Sequence, residues 1–344
     1  MTLQASVSMS WVNTVLLAAQ RQGVETATLL AAAGMAEAEL QRERWPIDHI
    51  TRLWWAAARL TADPGFGLKV GRLAVPAGLN LVGFMLQSAP TLRESIAVVL
   101  KYQRLVSDGG RLQMIAGSGA SWLVYHPRQG ELPFSPHQIE AVLAAVMAIA
   151  HWLTGALVQP LKVQFNQPAL GPSEGYQAVF ACPVEFEQAF SGLLLDNAIL
   201  DTPLPQADAQ LARLHQQHAA ARLAALSPAD TLVQDLRRWI ASRMHGQVPS
   251  RAEAAQAFGL SSRTLARRLQ AQQSDFSRLV DEVRHEAALH ALAHGEHSLA
   301  DIGQSLGFAE PSTFWRASSV GRGAHRPSGG GSGAGISASR RPLS

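Results

Sequence analysis

The chain has 344 residues, 47% of them hydrophobic, a formal net charge of +3 and a single cysteine, Cys182. That length suggests two domains of ordinary size, and the apolar fraction supports packed cores and excludes a disordered chain. A lone cysteine excludes an internal disulfide framework and a cysteine-rich zinc site and fits a reducing cytosol; the small net charge leaves the placement of individual arginines as the informative quantity.

The N-terminus, "MTLQASVSMSWVNTVLLAAQRQG", lacks a basic n-region and its apolar stretch breaks at Asn13 and Gln20, so no signal peptide is expected. "SWVNTVLLAAQRQG", "ETATLLAAAG" and "DHITRLWWAAARLTAD" each place apolar residues at helical spacing. "TLRESIAVVLKYQRLV" predicts a further helix, with Thr91 as N-cap and Glu94 three residues on, a capping box. "RLQMIAGSGASWLVYHP" alternates on both sides of Gly117-Ser118-Gly119 and predicts a β-hairpin. That Gly-Ser-Gly is a turn and not a phosphate loop, because neither a lysine nor a helix N-terminus follows it.

The most apolar segment, Ile139 to Val158, is long enough to raise a membrane span. Ile139, Val142, Leu143, Val146, Ile149, Ala150 and Leu153 follow helical spacing, however, and Glu140 and His151 interrupt the run. A core helix is the better reading. "LKVQFNQP" and "PVEFEQAF" predict two short strands, and Cys182, ahead of Pro183 with no histidine motif beside it, is expected to be buried and structural. These elements make an α+β domain of about 200 residues.

"DTPLPQADAQ" breaks the pattern with two prolines, and the Ala-rich helix "AQLARLHQQHAAARLAAL" runs on to Ser227-Pro228, where the inter-domain connection falls. From Thr231 to about Ala317 only helical patterns remain. Two segments there share one plan: "SRAEAAQAFGLSSRTLARRLQAQ" and "SLADIGQSLGFAEPSTFWRA". Each has a Ser N-cap with a carboxylate three residues on, Ser250 with Glu253 and Ser298 with Asp301. Each then ends a short helix at Gly plus an apolar residue, Gly259-Leu260 and Gly307-Phe308, before a second helix. That is the helix-turn-helix arrangement, here in tandem and joined by the amphipathic stretch "DFSRLVDEVRHEAALHALAHG".

On the second helix of the first unit, Leu265 and Leu269 are four apart and face a core. Arg263 and Arg267, also four apart, share another face with Ser262, Ala266 and Gln270. Guanidinium groups flanked by small residues suit entry into a major groove, since Arg bonds guanine bidentately and small residues permit close approach. Ser312 and Arg316, with Thr313 and Trp315 beside them, occupy the corresponding face of the second unit. Arginines and acids nearly balance between residues 250 and 317, so affinity would rest on locally placed arginines and on helix N-termini at phosphates. "HEAALH" is no zinc motif: His285 and His290 are five apart, ~140° around a helix, and His290 and His294 lack a third ligand.

The C-terminal part resembles the DNA-binding domain of AraC/XylS-type transcription regulators, through "LSSRTLARRLQ", "LVDEVRHEAALHAL" and above all "LADIGQSLGFAEPSTFWRA". The resemblance implies two helix-turn-helix units on a joining helix, entering successive major-groove turns of double-stranded DNA. It assigns Ser262, Arg263, Ala266 and Arg267 to the first reading face and Ser312, Thr313, Trp315 and Arg316 to the second. "LTADPGFGLKVGR", "GLNLVGFMLQSAPTLRESIAVVLKYQRLV" and "PVEFEQAFSGLLLDNAILDTPLP" resemble the effector-binding domain of one branch of the same regulators, and they name no ligand.

The expected fold is therefore an α+β N-terminal effector domain followed by an all-α C-terminal domain with two tandem helix-turn-helix units. Residues 10–205 form the effector domain, 206–228 a linker helix and 229–330 the DNA-binding domain, with a disordered tail over 318–344. The expected function is sequence-specific transcription regulation in the cytoplasm under an unknown small-molecule effector, with activation the working expectation and repression open. No catalytic residue, metal, cofactor or membrane contact is expected. RNA polymerase and a second copy of the chain stand as further candidate partners. The alternatives are an enzyme, or a protein-interaction module, whose helical domain only localises it.

Family members continue past the second reading helix into a Phe-containing turn, a Trp-Thr-Gly-like turn and a final short helix. This chain continues instead as "SSVGRGAHRPSGGG". One synonymous codon choice for that stretch, read with a single T restored ahead of it, translates as Phe-Lys-Arg-Trp-Thr-Gly-Arg-Thr-Pro-Ala-Glu-Trp-Arg-Arg, the family ending. The tail from Ser318 is thus expected to be a frameshift product, and independent reads across the codon of Ala317 that show an intact frame would refute it.

Overall fold

The computed structural model describes residues 5–128, 130–226, 230–243, 248–271 and 274–294. Strand β1 (Ser6–Ser8) leads into α1 (Met9–Gln20), followed by α2 (Thr26–Ala32). Strand β2 (Arg44–Pro46) pairs antiparallel with β1. Helices α3 (Ile47–Thr61), α4 (Phe66–Arg72), α5 (Leu81–Ser88) and α6 (Leu92–Tyr102) come next. The Thr91 hydroxyl caps α6 by accepting from the Glu94 N–H at 3.3 Å; the Glu94 carboxylate meets that hydroxyl, and not the Thr91 backbone, at 3.4 Å.

The expected hairpin is β3 (Gly110–Ile115) and β4 (Ala120–Pro127), paired antiparallel. Then follow α7 (Pro136–Thr154), β5 (Lys162–Gln164), α8 (Ser173–Phe180), β6 (Val184–Glu185) and β7 (Ser191–Asp196). The sheet order is β3-β4-β7-β5-β6, antiparallel except for the β5–β6 pair. The two expected short strands are β5 and β6. The central strand β7 was not among the expectations.

Two cores share α7. One lies between the sheet and α5, α6, α7 and α8; the other is built from α1 to α4 and closes on Ala141 and Ala145 of α7. Helix α4 crosses α7 through Gly67 and Gly71, one turn apart. A Cβ on Gly71 would sit 2.4 Å from the Ala144 Cβ, and one on Gly67 would sit 2.2 Å from the His137 carbonyl. Only glycine permits that approach. Among the described residues no helix is long and apolar enough to cross a membrane, and α7 is the core helix its periodicity predicts. Glu140, which the sequence presents as an interruption of its apolar run, is fully buried and accepts a hydrogen bond from the Tyr176 hydroxyl. Cys182 is buried, with its thiol against the Pro183 carbonyl.

After α9 (Asn197–Leu200), α10 (Ala209–Leu226) returns against α5: Ala219 is buried in the sheet-side core, and the Phe84 and His215 rings lie 5.8 Å apart. The remaining described elements are helical: α11 (Asp230–Arg243), α12 (Arg251–Ala257), α13 (Ser262–Gln270) and α14 (Phe276–His294). They enclose a third core of Leu236, Ile240, Ala254, Ala255, Leu265, Leu269, Phe276, Leu279, Val280 and Val283. The second helix-turn-helix segment, residues 298–317, and the tail lie outside the described residues, as do the side chains of His285, His290 and His294.

Candidate nucleic-acid interface and effector cavity

The first helix-turn-helix assembles from local chemistry. Ser250 and Glu253 form the predicted capping box: the Glu253 N–H donates to the Ser250 hydroxyl at 3.2 Å, and the Ser250 N–H donates to the carboxylate at 2.6 Å. Those bonds hold the Glu253 carboxyl below the usual carboxylate range. Helix α12 stops at Gly259, whose φ of +62° is left-handed, and the Leu260 N–H turns back to the Ala255 carbonyl at 2.8 Å. The Ser261 hydroxyl then caps α13 by accepting from the Thr264 N–H at 3.1 Å. Asp275 caps α14 in the same way through the Arg278 N–H. Each cap satisfies a donor that a helix end leaves open, so the turn is fixed by its own residues.

Leu265 and Leu269 are fully buried and orient α13. Arg263 and Arg267 are exposed on the far side, Ala266 and Ser262 are half-buried beside them, and Gln270 is exposed. The charge pattern separates the arginines. Arg237 and Arg278 bind Glu282, Arg238 binds Asp235, and Arg284 binds Asp281. Among the described residues Arg263, Arg267 and Arg268 have no acidic partner. Arg268 is exposed too, ~100° around the helix from Arg267, and the four-residue spacing used on the sequence passes over it. A cleft of about 340 Å³ opens beside this surface, bordered by Arg251, Ala266, Gln270 and Phe276. Ser312, Thr313, Trp315 and Arg316 lie outside the described residues.

The N-terminal part contains a cavity of about 150 Å³ between the sheet and α5, α6 and α7. Val82 and Leu86 of α5, Ile96 and Val99 of α6, Val146 and Ile149 of α7, and Leu123 and Leu195 of the sheet line it. Its polar lining includes Ser95, Gln103, Ser107, Tyr125 and Gln138, and among the described residues no charged side chain lines it. Burial pushes the Tyr125 hydroxyl well above the usual range for a phenol, so it stays protonated. The sequence gives no signal for this cavity, because each wall reads as ordinary core packing. Among the described residues no group of three His, Cys, Asp or Glu side chains could hold a metal ion.

An α+β ligand-binding-sized cavity domain joined by a helix to a capped helix-turn-helix defines a DNA-binding regulator class. Residues 23–204 match the family model for the arabinose-binding domain of AraC transcription regulator, N-terminal, and residues 254–319 match a helix-turn-helix domain model. The chain belongs to the AraC-type transcription regulators. It is 27% identical over 266 residues to the ornithine utilization regulator of Pseudomonas aeruginosa, covering 77% of this chain and 78% of the relative. It is 24% identical over 269 residues to the HTH-type transcriptional regulator VirS of Mycobacterium tuberculosis, covering 77% and 78%. The crystal structure of transcriptional regulator CdpR from Pseudomonas aeruginosa aligns with a TM-score of 0.44 at 19% identity, over 85% of this chain and 91% of that one. The protein is a DNA-binding transcriptional regulator with an N-terminal ligand-binding domain.

Proposed function

We propose that the chain is a one-component regulator that reads operator DNA through the major groove with α13, and that its cavity holds the effector. The observation that carries this reading is the pair of exposed guanidiniums of Arg263 and Arg267, without an acidic partner among the described residues, opposite the buried Leu265 and Leu269. Ser262 and Ala266 complete the first reading face, and Ser312, Thr313, Trp315 and Arg316 form the second by family pattern. Arg268, off the reading face, is assigned to a phosphate. Residues 10–205 act as effector domain, 206–228 as linker helix and 229–330 as DNA-binding domain.

Control runs through α5. Its Val82 and Leu86 line the cavity, while its Phe84 touches His215 of α10, the helix leading toward the DNA-binding part. Filling the cavity therefore biases α10, and an effector changes operator affinity only by as much as it distinguishes the two α5–α10 arrangements. The chain acts without catalysis, in the cytoplasm where the operator is, as an activator that meets RNA polymerase and pairs with a second copy. The tail from Ser318 is a shifted reading frame; the helix-turn-helix match ending at residue 319 supports this. The test is a gel shift of the full chain on the DNA upstream of its own gene, alongside incubation with candidate metabolites. Specific retardation without turnover is expected. Turnover without retardation would favour the enzyme reading.

A further inference from the structure

We propose that the effector is an uncharged, mainly apolar molecule of about the size of one six-membered ring, anchored by a single polar group at Gln138. This deepens the effector reading above and rests on it. Size comes first: an apolar cavity of about 150 Å³ is what benzene fills. Charge comes second. Among the described residues no Asp, Glu, Lys, Arg or His lines the space, so a zwitterion would bury both its charges unpaired and be rejected. A polyhydroxylated sugar is disfavoured for the same reason, because the lining's polar groups are few and mostly engaged. The Gln103 amide donates to the Leu100 carbonyl at 3.0 Å and accepts from the Leu112 N–H at 2.6 Å. The Ser107 hydroxyl accepts from the Gly109 N–H at 2.9 Å, and the Tyr125 hydroxyl donates to the Gly109 carbonyl at 3.4 Å.

Gln138 differs. It is 2% exposed and lines the cavity, and its Oε1 has no hydrogen-bond partner. A buried carboxamide oxygen left open is costly, and a rotation of the Gln138 carboxamide toward the cavity would let a ligand hydroxyl or N–H satisfy it. The apolar wall then takes the ring, and Gln138 fixes its orientation.

The experiment uses the full chain with benzyl alcohol, toluene, L-ornithine and L-arabinose, read by saturation-transfer NMR and by the unfolding midpoint. The expected result is saturable binding of benzyl alcohol and toluene, benzyl alcohol the tighter, with the other two inert. Gln138→Leu should remove roughly two- to tenfold of the benzyl alcohol affinity and leave toluene unchanged or tighter. Ala150→Phe, which fills the cavity, should abolish both while circular dichroism stays the same. Saturable binding of ornithine or arabinose would overturn the ligand class and leave the ligand-controlled regulator standing. Absence of benzyl alcohol binding, or binding that Ala150→Phe does not touch, would overturn the site itself. Operator retardation, measured in parallel, reports on the DNA-binding reading independently.

Discussion

Burial raises the Glu140 carboxyl to a pKa of about 7, partly offset by the hydrogen bond from Tyr176. The folded state therefore keeps this proton over a range in which the unfolded chain, near the ordinary glutamate value of 4.5, has lost it. Stability from this group is highest below pH ~4.5, falls as pH rises to ~7 and is then flat, a change of ~3 kcal/mol. His49 and His137, both lowered by burial, oppose it by costing stability as pH falls through ~6.5. The difference between parent and Glu140→Gln isolates the carboxyl. Urea unfolding of both should diverge between pH 4.5 and 7, with the variant gaining relative stability at the high end; parallel curves would mean that Glu140 ionises without cost. At the DNA-binding end, Leu265 is fully buried. Leu265→Ala should cost ~2–5 kcal/mol of stability in that helical unit, and a neutral effect would mean that the faces of α13 are misassigned.

At the scale of elements, the contact of α4 with α7 depends on missing side chains. Gly71→Val should destabilise the N-terminal part by ~1–3 kcal/mol or more, because even the first added carbon meets the Ala144 Cβ at 2.4 Å and the Ala141 carbonyl at 2.5 Å. Gly119→Ala, where an added Cβ meets nothing within 4 Å, should stay within ~0.5 kcal/mol. Equal unfolding midpoints for the two variants would show that the helices can separate freely. Periodicity made the amphipathic and terminal elements legible: α6, the β3–β4 hairpin, α7 and the capped α12–α13 turn all announce themselves. Strand β7 does not. "SGLLLD" is a short apolar run in the middle of the sheet: Leu193 and Leu195 face the helix-side core, but Leu194 between them is apolar too and half-buried, so the sequence carries no alternation. Helix α5, "LVGFMLQS", is apolar on every side because the cavity and α10 take opposite faces. The cavity itself joins residues from Trp11 to Leu195, and only the fold brings them together.

For the whole molecule, Arg263 and Arg267 stand out in the sequence because the role proposed for them is local to one helix, while the cavity proposed for the effector needs tertiary structure. The second reading unit ends where the sequence leaves the family pattern. On the proposed frameshift, restoring one base ahead of Ser318 would return a Phe, two Trp and several cations, so the repaired chain should bind the same operator more tightly at one salt concentration; equal affinities would mean that the tail does not impair binding.

The account rests most directly on Arg263 and Arg267 as readers. The decisive measurement is an equilibrium titration of the upstream operator, at one stated salt concentration, with the parent, Arg263→Ala and Arg267→Ala. A variant that loses a bidentate base contact should lose ~1–3 kcal/mol of specific binding with its circular dichroism unchanged. If both variants bind the operator like the parent, α13 is not the reading helix.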